Sequence, residues 1–369
     1  MADSRGVRKL QVTNLQLIRH RRENHGLIQP LPAPASSTVA WFGAVQAQDY
    51  LGALWAVGQR TEGACQSDIE LAIAEREIVR TWPMRGTLHF VAADDVRWLL
   101  DLLAPRIIQR HALRLEREFE LDAPVLSRCR KVLTQILAGR GPTTRGDIYK
   151  ALEGKGISSQ GQRGVHILGR LAQEGLICLG PRAGKQPTFV LLDEWLPEVR
   201  GLLREEALAE LALRYFTSHG PATVKDFSWW SGLSLTEARM ALGLVHRRLI
   251  KETAGGRELW FAHAPRLARK RAPSIAHLLP PFDEYLVGYQ DRSAVLDPMH
   301  AGRLQALLSP IVELDGQVVG TWKRILATGR AELHLRPFGR WTTSAKQGIA
   351  DAARRYGEYL GVPVSLIRR

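Results

Sequence analysis

The 369-residue sequence has few cysteines and no long apolar run. Its three cysteines, Cys65, Cys129 and Cys178, lie far apart, which argues against a zinc knuckle, an iron–sulfur cluster and a disulfide framework. We therefore expect that the protein requires neither a metal nor a cofactor. Because no apolar span and no apolar signal region after Met1 is present, we expect a cytoplasmic protein without a membrane partner.

The chain has fewer acidic than basic residues. The chain carries 51 lysines and arginines against 37 aspartates and glutamates, which gives a net charge of +14 and a pI near 10.1. An excess of this size favours polyanionic partners, since neutralised phosphates release counterions. We therefore expect nucleic acid as the leading partner, with an anionic membrane as the weaker option, and association with the nucleoid. Nothing in the sequence calls for an obligate protein partner.

A segment of the chain repeats. The sequence GPTTRGD at 141–147 recurs as GPATVKD at 220–226. Each copy follows an amphipathic helical pattern and precedes a short helix, a turn, a longer helix and a glycine-centred hairpin. In the second copy, Ser234 and Glu237 form a capping-box pattern at the start of the long helix. Helix, helix–turn–helix and β-hairpin together are typical of a winged helix.

The same pattern predicts a further copy nearer the N-terminus. It has a helix from Leu15, a proline-rich loop at 29–34, further helices and a hairpin; the predicted helices are 38–45, 51–59 and 67–74, and the hairpin strands are 78–81 and 87–91. The last hundred residues alternate at period two at 280–285, 316–322 and 331–335, before a helix at about 344–360. We therefore predict an α+β, predominantly helical protein. Its three tandem winged-helix modules span 10–110, 111–200 and 201–275, and a C-terminal β-rich subdomain with a terminal helix spans 276–369.

Two glutamines, Gln46 and Gln48, flank Ala47 inside an otherwise apolar stretch. A buried unpaired amide costs about 1–3 kcal/mol, so either the protein or a ligand must satisfy these groups. At the junction of two short helices, both side chains could converge on one pocket. A neutral amide hardly accepts a proton, but it holds a water molecule and turns its carbonyl dipole towards developing positive charge.

Three segments resemble one family: VQAQDY at 45–50, TWPMRGTLH at 81–89 and LPPFDEYL at 279–286. They are similar to segments of the winged-helix DNA glycosylases of the azinomycin-resistance, interstrand-crosslink-repair type (AlkZ-like). The likeness extends from about Leu15 to the C-terminus. It implies that winged helices and a C-terminal β-element frame a basic surface for duplex DNA. It also implies that Gln46 and Gln48 are the catalytic residues, and glutamine at the second position matches the azinomycin-resistance branch.

The activity implied by the resemblance is that of a monofunctional DNA glycosylase acting on N7-alkylated purines, crosslinked ones included. An N7-alkylated guanine is already cationic and leaves readily, so a weak catalyst suffices. No lysine stands out as a Schiff-base nucleophile, so we expect no lyase activity. The alternative is a non-catalytic winged-helix DNA-binding protein or regulator, in which the two glutamines are internal hydrogen-bond partners.

Basic residues supply the candidate DNA contacts, which are Arg85, His89, Arg247, Arg248, Arg269, Lys270 and Arg271. Arg85 and His89 would lie on one face of a strand, because four positions preserve the face. Asp49 is a candidate for activating water, but a helix cap is the favoured interpretation. Asp283 and Glu284 form a carboxylate pair of the kind used in acid–base catalysis, and a structural turn is the favoured interpretation there.

Overall fold

The computed structural model describes residues 13–198, 200–263, 274–304 and 309–368, and the chain divides into two compact units. The central unit is Pro32–Ala207. The flanking unit combines Met1–Leu31 with Leu208–Arg369, of which the described residues are discussed below. Each unit has its own β-sheet and its own hydrophobic core.

Helices and strands alternate in short groups along the described part of the chain. The α-helices, α1 to α15 in chain order, are Asn14–Asn24, Ala35–Phe42, Tyr50–Gly58, Gln66–Ala74, Val96–Phe119, Ala123–Leu137, Arg145–Glu153, Arg163–Gln173, Leu192–Trp195, Arg204–Ser218, Val224–Ser231, Leu235–Val245, Glu284–Val287, Pro298–Ala301 and Thr343–Leu360. The strands, β1 to β13, are Val45–Gln46, Ile78–Met84, Thr87–Ala92, Thr143–Thr144, Ile177–Ala183, Gln186–Leu191, Ile250–Ala254, Arg257–Phe261, Ala276–Leu279, Ile311–Leu314, Gln317–Ala327, Arg330–Pro337 and Val364–Arg368.

The central unit is built on one antiparallel sheet with the strand order β1-β3-β2-β5-β6-β4. The two hairpins predicted in this region are confirmed as β2–β3 and β5–β6. Alternate apolar residues of β5 and β6 join those of α6, α7 and α8 in a shared core that includes Leu133, Ile148, Ile167, Leu171 and Phe189. The short strand β1 lies at the edge of the sheet, where it is paired on one side with β3.

The sequence repeat is also a repeat of local structure. The order α6–β4–α7–α8–β5–β6 matches α10–α11–α12–β7–β8, in which a single bridge between Ala222 and Trp260 takes the place of β4 pairing with β6. Thr144 and Thr223 each cap the following helix by accepting the N–H of an aspartate three residues later. The predicted capping box of Ser234 and Glu237 is also formed.

Three local expectations differ from the structure. The helix expected over 38–45 ends at Phe42, because Gly43 adopts the left-handed region (φ 77°), and Val45–Gln46 form a strand. No strand forms at 280–285, since consecutive prolines lack the N–H groups that a sheet requires, and β9 ends at Leu279. The helix expected from Leu15 belongs to the flanking unit, where Leu17 and Ile18 share a core with Tyr285.

The C-terminal part of the flanking unit contains the expected β-rich layer. Its sheet has the order β13-β12-β11-β10-β9, and the predicted terminal helix is α15, which buries Ile349, Ala353 and Tyr356. After α15, β13 returns to pair in parallel with β12, a pairing that no local pattern predicts. Among the described residues, no helix is both long enough and apolar enough to cross a membrane.

Candidate active site

Gln46 lies on the edge strand β1, with its side chain folded back onto the main chain. The residue is 6% exposed, and it stands opposite His89 of β3. Its Oε1 accepts the main-chain N–H of Gln48 at 2.9 Å, while the N–H of Ala47 donates to the carbonyl of Leu88 at 2.7 Å. The buried amide thus stabilises the conformation of the Gln46-Ala47-Gln48 tripeptide.

Gln48 lies at the surface of the central unit. Its side chain is exposed, and Oε1 accepts the N–H of Leu88 at 3.3 Å, at the long end of hydrogen-bond distances. The two glutamines are therefore unlike: Gln46 is buried and bonded to the main chain, whereas Gln48 presents its amide to solvent. Of the two amides, that of Gln48 is the more accessible to a ligand.

Arg80 of β2 holds the carbonyl between the two glutamines. Its Nε and Nη2 donate to the Ala47 oxygen at 3.0 and 2.7 Å, and Nη2 lies 3.4 Å from the Gln48 oxygen. Burial lowers the pKa of this arginine to about 10. The sequence reasoning gave Arg80 no role; the signal that could have found it is a charged residue within the apolar strand Ile78–Met84.

The aromatic ring of Tyr50, at the start of α3, lies beside this arginine. Two guanidinium carbons contact the ring, that of Arg80 at 5.3 Å and that of Arg182 at 4.7 Å from its centroid. Phe90 packs against the same ring edge to face. Burial raises the pKa of Tyr50 to about 12, so the phenol stays neutral at physiological pH.

Arg85 is in the turn between β2 and β3, as the predicted hairpin implies, so it does not share a strand face with His89. It and Gly86 both have positive φ, 53° and 75°, as the tight hairpin turn requires. Nη2 of Arg85 lies 3.3 Å from Nε2 of His89, and Nδ1 of His89 donates to the Thr87 carbonyl. The His89 ring is fully buried, whereas Arg85 is partly exposed. His89 therefore holds Arg85 through this contact, and Arg85 is the group that solvent or a ligand can reach.

The remaining basic candidates belong to the flanking unit. Arg247 and Arg248 lie together on an exposed 3₁₀ turn between α12 and β7. The candidates Arg269, Lys270 and Arg271 lie outside the described residues. The structure therefore places Arg247 and Arg248 side by side on an exposed turn.

The carboxylates noted in the sequence have structural partners. Oδ1 of Asp49 accepts the N–H of Gly52 at 2.7 Å and caps α3, and Asp283 caps α13 by accepting the N–H of Tyr285. Glu284 is buried within the flanking unit. Across the described ranges, no group of three or more His, Cys, Asp or Glu side chains is placed to hold a metal ion.

Comparison with known proteins identifies the family. The model of the family described as DNA glycosylase AlkZ-like matches residues 39–359. The chain is 28% identical over 344 residues to an interstrand DNA cross-link repair glycosylase of Streptomyces sahachiroi, covering 86% of this chain and 88% of that protein. The solved structure of the DNA glycosylase AlkZ of Streptomyces sahachiroi superposes on this chain with a TM-score of 0.79 at 23% sequence identity. The match covers 97% of this chain and 100% of that one, so the two chains share the same mixed α/β fold. The family match spans most of the chain, and the protein belongs to the AlkZ-like DNA glycosylases.

Proposed function

We propose that this DNA glycosylase hydrolyses the N-glycosidic bond of N7-alkylated purines in duplex DNA, including purines joined in interstrand crosslinks. The observation that carries the proposal is the arrangement of Gln46-Ala47-Gln48. The Gln48 side-chain amide is at the surface, and it follows two buried residues and a main-chain N–H that is bonded to Gln46. The similarity to a glycosylase named for interstrand crosslink repair supports the crosslink substrate.

The chemistry suits a site without a strong acid or base. An N7-alkylated purine carries a positive charge, so its departure needs no protonation of the base. The C1′–N9 bond breaks with its electron pair passing to the purine, which becomes neutral, and the positive charge moves to the sugar. A water oxygen then bonds to C1′ and its proton passes to solvent.

The two glutamines have complementary roles in this scheme. Gln48 holds the water molecule, and its carbonyl dipole faces the developing charge on the sugar. Gln46 keeps the Gln48 main chain in position and adds its own carbonyl dipole close by. Positioning of water and sugar supplies most of the remaining acceleration.

We propose further that the chain holds three winged helices which bind the DNA. The matching order of helices, bridge and hairpin in two segments supports two of them, and the third consists of α2, α3, α4 and the β2–β3 hairpin, with β1 in the place of the bridge. Arg85, Arg247 and Arg248 are proposed phosphate contacts because they are exposed or partly exposed; on sequence grounds Arg269, Lys270 and Arg271 are added.

Base release from defined duplexes tests the proposal. Purified protein is incubated with one duplex that contains N7-methylguanine and another that contains an N7-linked interstrand crosslink. We expect free modified base and an abasic site, with strand cleavage only after alkali, because the sequence suggests no lysine as a Schiff-base nucleophile. If both duplexes stay intact, the proposed function is wrong.

The helix cap at Asp49 gives a separate prediction. Asp49→Asn keeps the cap, because asparagine accepts the same N–H, and we expect its rate of base release to equal that of the wild type. Asp49→Ala loses the cap and lowers the free energy of unfolding by about 1 kcal/mol. Urea denaturation and single-turnover assays measure the two effects. A stable Asp49→Asn protein with a much lower rate would instead identify Asp49 as a water-activating carboxylate.

A further inference from the structure

The Arg80 side chain forms several hydrogen bonds to the Gln46-Ala47-Gln48 main chain. Two nitrogens of one guanidinium converge on the Ala47 oxygen, and one of them also approaches the Gln48 oxygen. Arginine suits this position because its planar fork presents two donors in a fixed geometry, whereas a lysine presents a single rotatable ammonium. Bonds from a charged donor are also about twice as strong as neutral ones.

Three polar main-chain groups of the tripeptide each have their own partner. Leu88 accepts from the Ala47 N–H, Gln46 accepts from the Gln48 N–H, and Arg80 donates to the Ala47 carbonyl. The last two contacts hold opposite ends of the same peptide unit, the one that joins Ala47 to Gln48. The orientation of this unit sets the direction in which the exposed Gln48 side chain leaves the main chain.

The Arg80 guanidinium is itself held in place. It lies against the ring of Tyr50, which follows the Asp49 cap at the start of α3, and Arg182 lies against the same ring. A cation near an aromatic face in a half-buried position is stabilised by the ring quadrupole. Arg80 therefore connects strand β2 to the tripeptide and to the first turn of α3.

We infer that Arg80 is a positioning residue of the glycosylase reaction, which fixes the Ala47–Gln48 peptide and thereby aims the Gln48 amide. The inference rests on the proposed function, in which Gln48 holds the attacking water. The bonds of Arg80 go to main-chain oxygens, so its contribution is to the rate of base release at saturation rather than to DNA affinity.

The test compares Arg80→Met and Arg80→Lys with Arg182→Met as the matched control. Arg182 lies against the same ring, but its guanidinium donates to the Lys185 carbonyl. Single-turnover release of N7-methylguanine at saturating enzyme, the Kd for duplex DNA and the Tm are measured for each protein. We expect Arg80→Met to lower the rate roughly tenfold to a hundredfold, as a displaced reacting group does.

The other readouts separate positioning from binding and folding. We expect the Kd of Arg80→Met to stay within about threefold of the wild-type value, Arg80→Lys to recover part of the rate, and Arg182→Met to keep the full single-turnover rate. If Arg80→Met binds DNA more weakly but releases base at the wild-type rate, Arg80 is a phosphate contact and the inference is wrong. If Arg80→Met does not fold, Arg80→Lys decides, and a full rate in that variant contradicts the inference.

Gln48→Ala, measured alongside, distinguishes the two levels of the proposal. If Gln48→Ala is inactive while both Arg80 variants keep the wild-type rate, only the inference about Arg80 fails. If Gln48→Ala and the Arg80 variants are all fully active, the assignment of the glutamines fails and the inference fails with it.

Discussion

Gln48→Ala is expected to slow base release by roughly 10²–10³-fold, the loss seen when one preorganised polar group is removed from a reaction site. The same variant should unfold at the wild-type Tm, because the side chain is exposed and makes only a long hydrogen bond to Leu88. Gln48→Met keeps the length of the side chain without its amide and should show the same loss. Single-turnover release of N7-methylguanine and thermal denaturation measure both quantities.

Gln46→Ala should lose activity for a different combination of reasons. Its Oε1 is the acceptor for the Gln48 N–H in a part-buried bond, so truncation leaves that donor without this partner at a cost of about 1 kcal/mol. We therefore expect a lower rate together with a lower Tm. Rate and stability thus both fall in Gln46→Ala, whereas only the rate falls in Gln48→Ala, because Gln46 is buried and Gln48 is exposed.

An exposed glutamine elsewhere supplies the control. Gln135 lies on the exposed side of α6, and Gln135→Ala should leave both rate and Tm at wild-type values. If the double variant Gln46→Ala with Gln48→Ala excises N7-methylguanine at the wild-type rate, the catalytic assignment is wrong even though the protein is a glycosylase.

Glu284→Ala has the largest expected effect on stability, a loss of about 3–5 kcal/mol in the free energy of unfolding. Oε2 of this buried carboxylate accepts from Nε1 of Trp230 at 2.9 Å and from Nε2 of His219 at 3.3 Å, and both partners are fully buried. Removing one partner of a buried hydrogen-bonded pair costs far more than the pair contributes, because the polar groups left behind keep their desolvation penalty.

The ring of His219 is bonded at both nitrogens. Nδ1 lies 2.8 Å from the hydroxyl of Ser218, which itself donates to the Arg214 carbonyl, and Nε2 lies 3.3 Å from Oε2 of Glu284. Glu284→Ala therefore removes a buried hydrogen-bond partner of both His219 and Trp230.

A surface pair of the same kind serves as the control. Glu332 and His334 are also 3.3 Å apart, but the glutamate side chain is 36% exposed, so Glu332→Ala should change stability by less than about 1 kcal/mol. Urea denaturation followed by tryptophan fluorescence measures both variants. Glu284→Gln, which keeps the acceptor oxygen, should release base at the wild-type rate; a stable but inactive Glu284→Gln would restore the acid–base role that its burial argues against.

The family assignment also decides between the two functions that the sequence left open. A non-catalytic regulator would share the basic charge and the repeated modules, but the chain matches the glycosylase family over residues 39–359. The internal bond of Gln46, which a regulator would also contain, holds the neighbouring Gln48 main chain in this protein.

Local patterns along the chain were sufficient for the hairpins, the capping box of Ser234 and Glu237 and the terminal helix. The periodicity of hydrophobic residues, the capping residues and the turn glycines act over a few neighbouring residues, so they can be recognised in the sequence without knowledge of the tertiary structure. The candidate glutamines were identified in the same way, from two amides in an apolar stretch and from their likeness to a family motif.

Tertiary structure decided what depends on residues distant in sequence. It buried Gln46 and exposed Gln48, although the two are separated by a single alanine, because β1 ends at Gln46 and Gln48 follows outside the strand. It brought Arg80 onto the Ala47 carbonyl and Glu284 against His219, contacts that span 33 and 65 positions. Sequence by itself therefore determined which residues could perform the chemistry, whereas long-range pairing determined their burial, their partners and the direction in which they point.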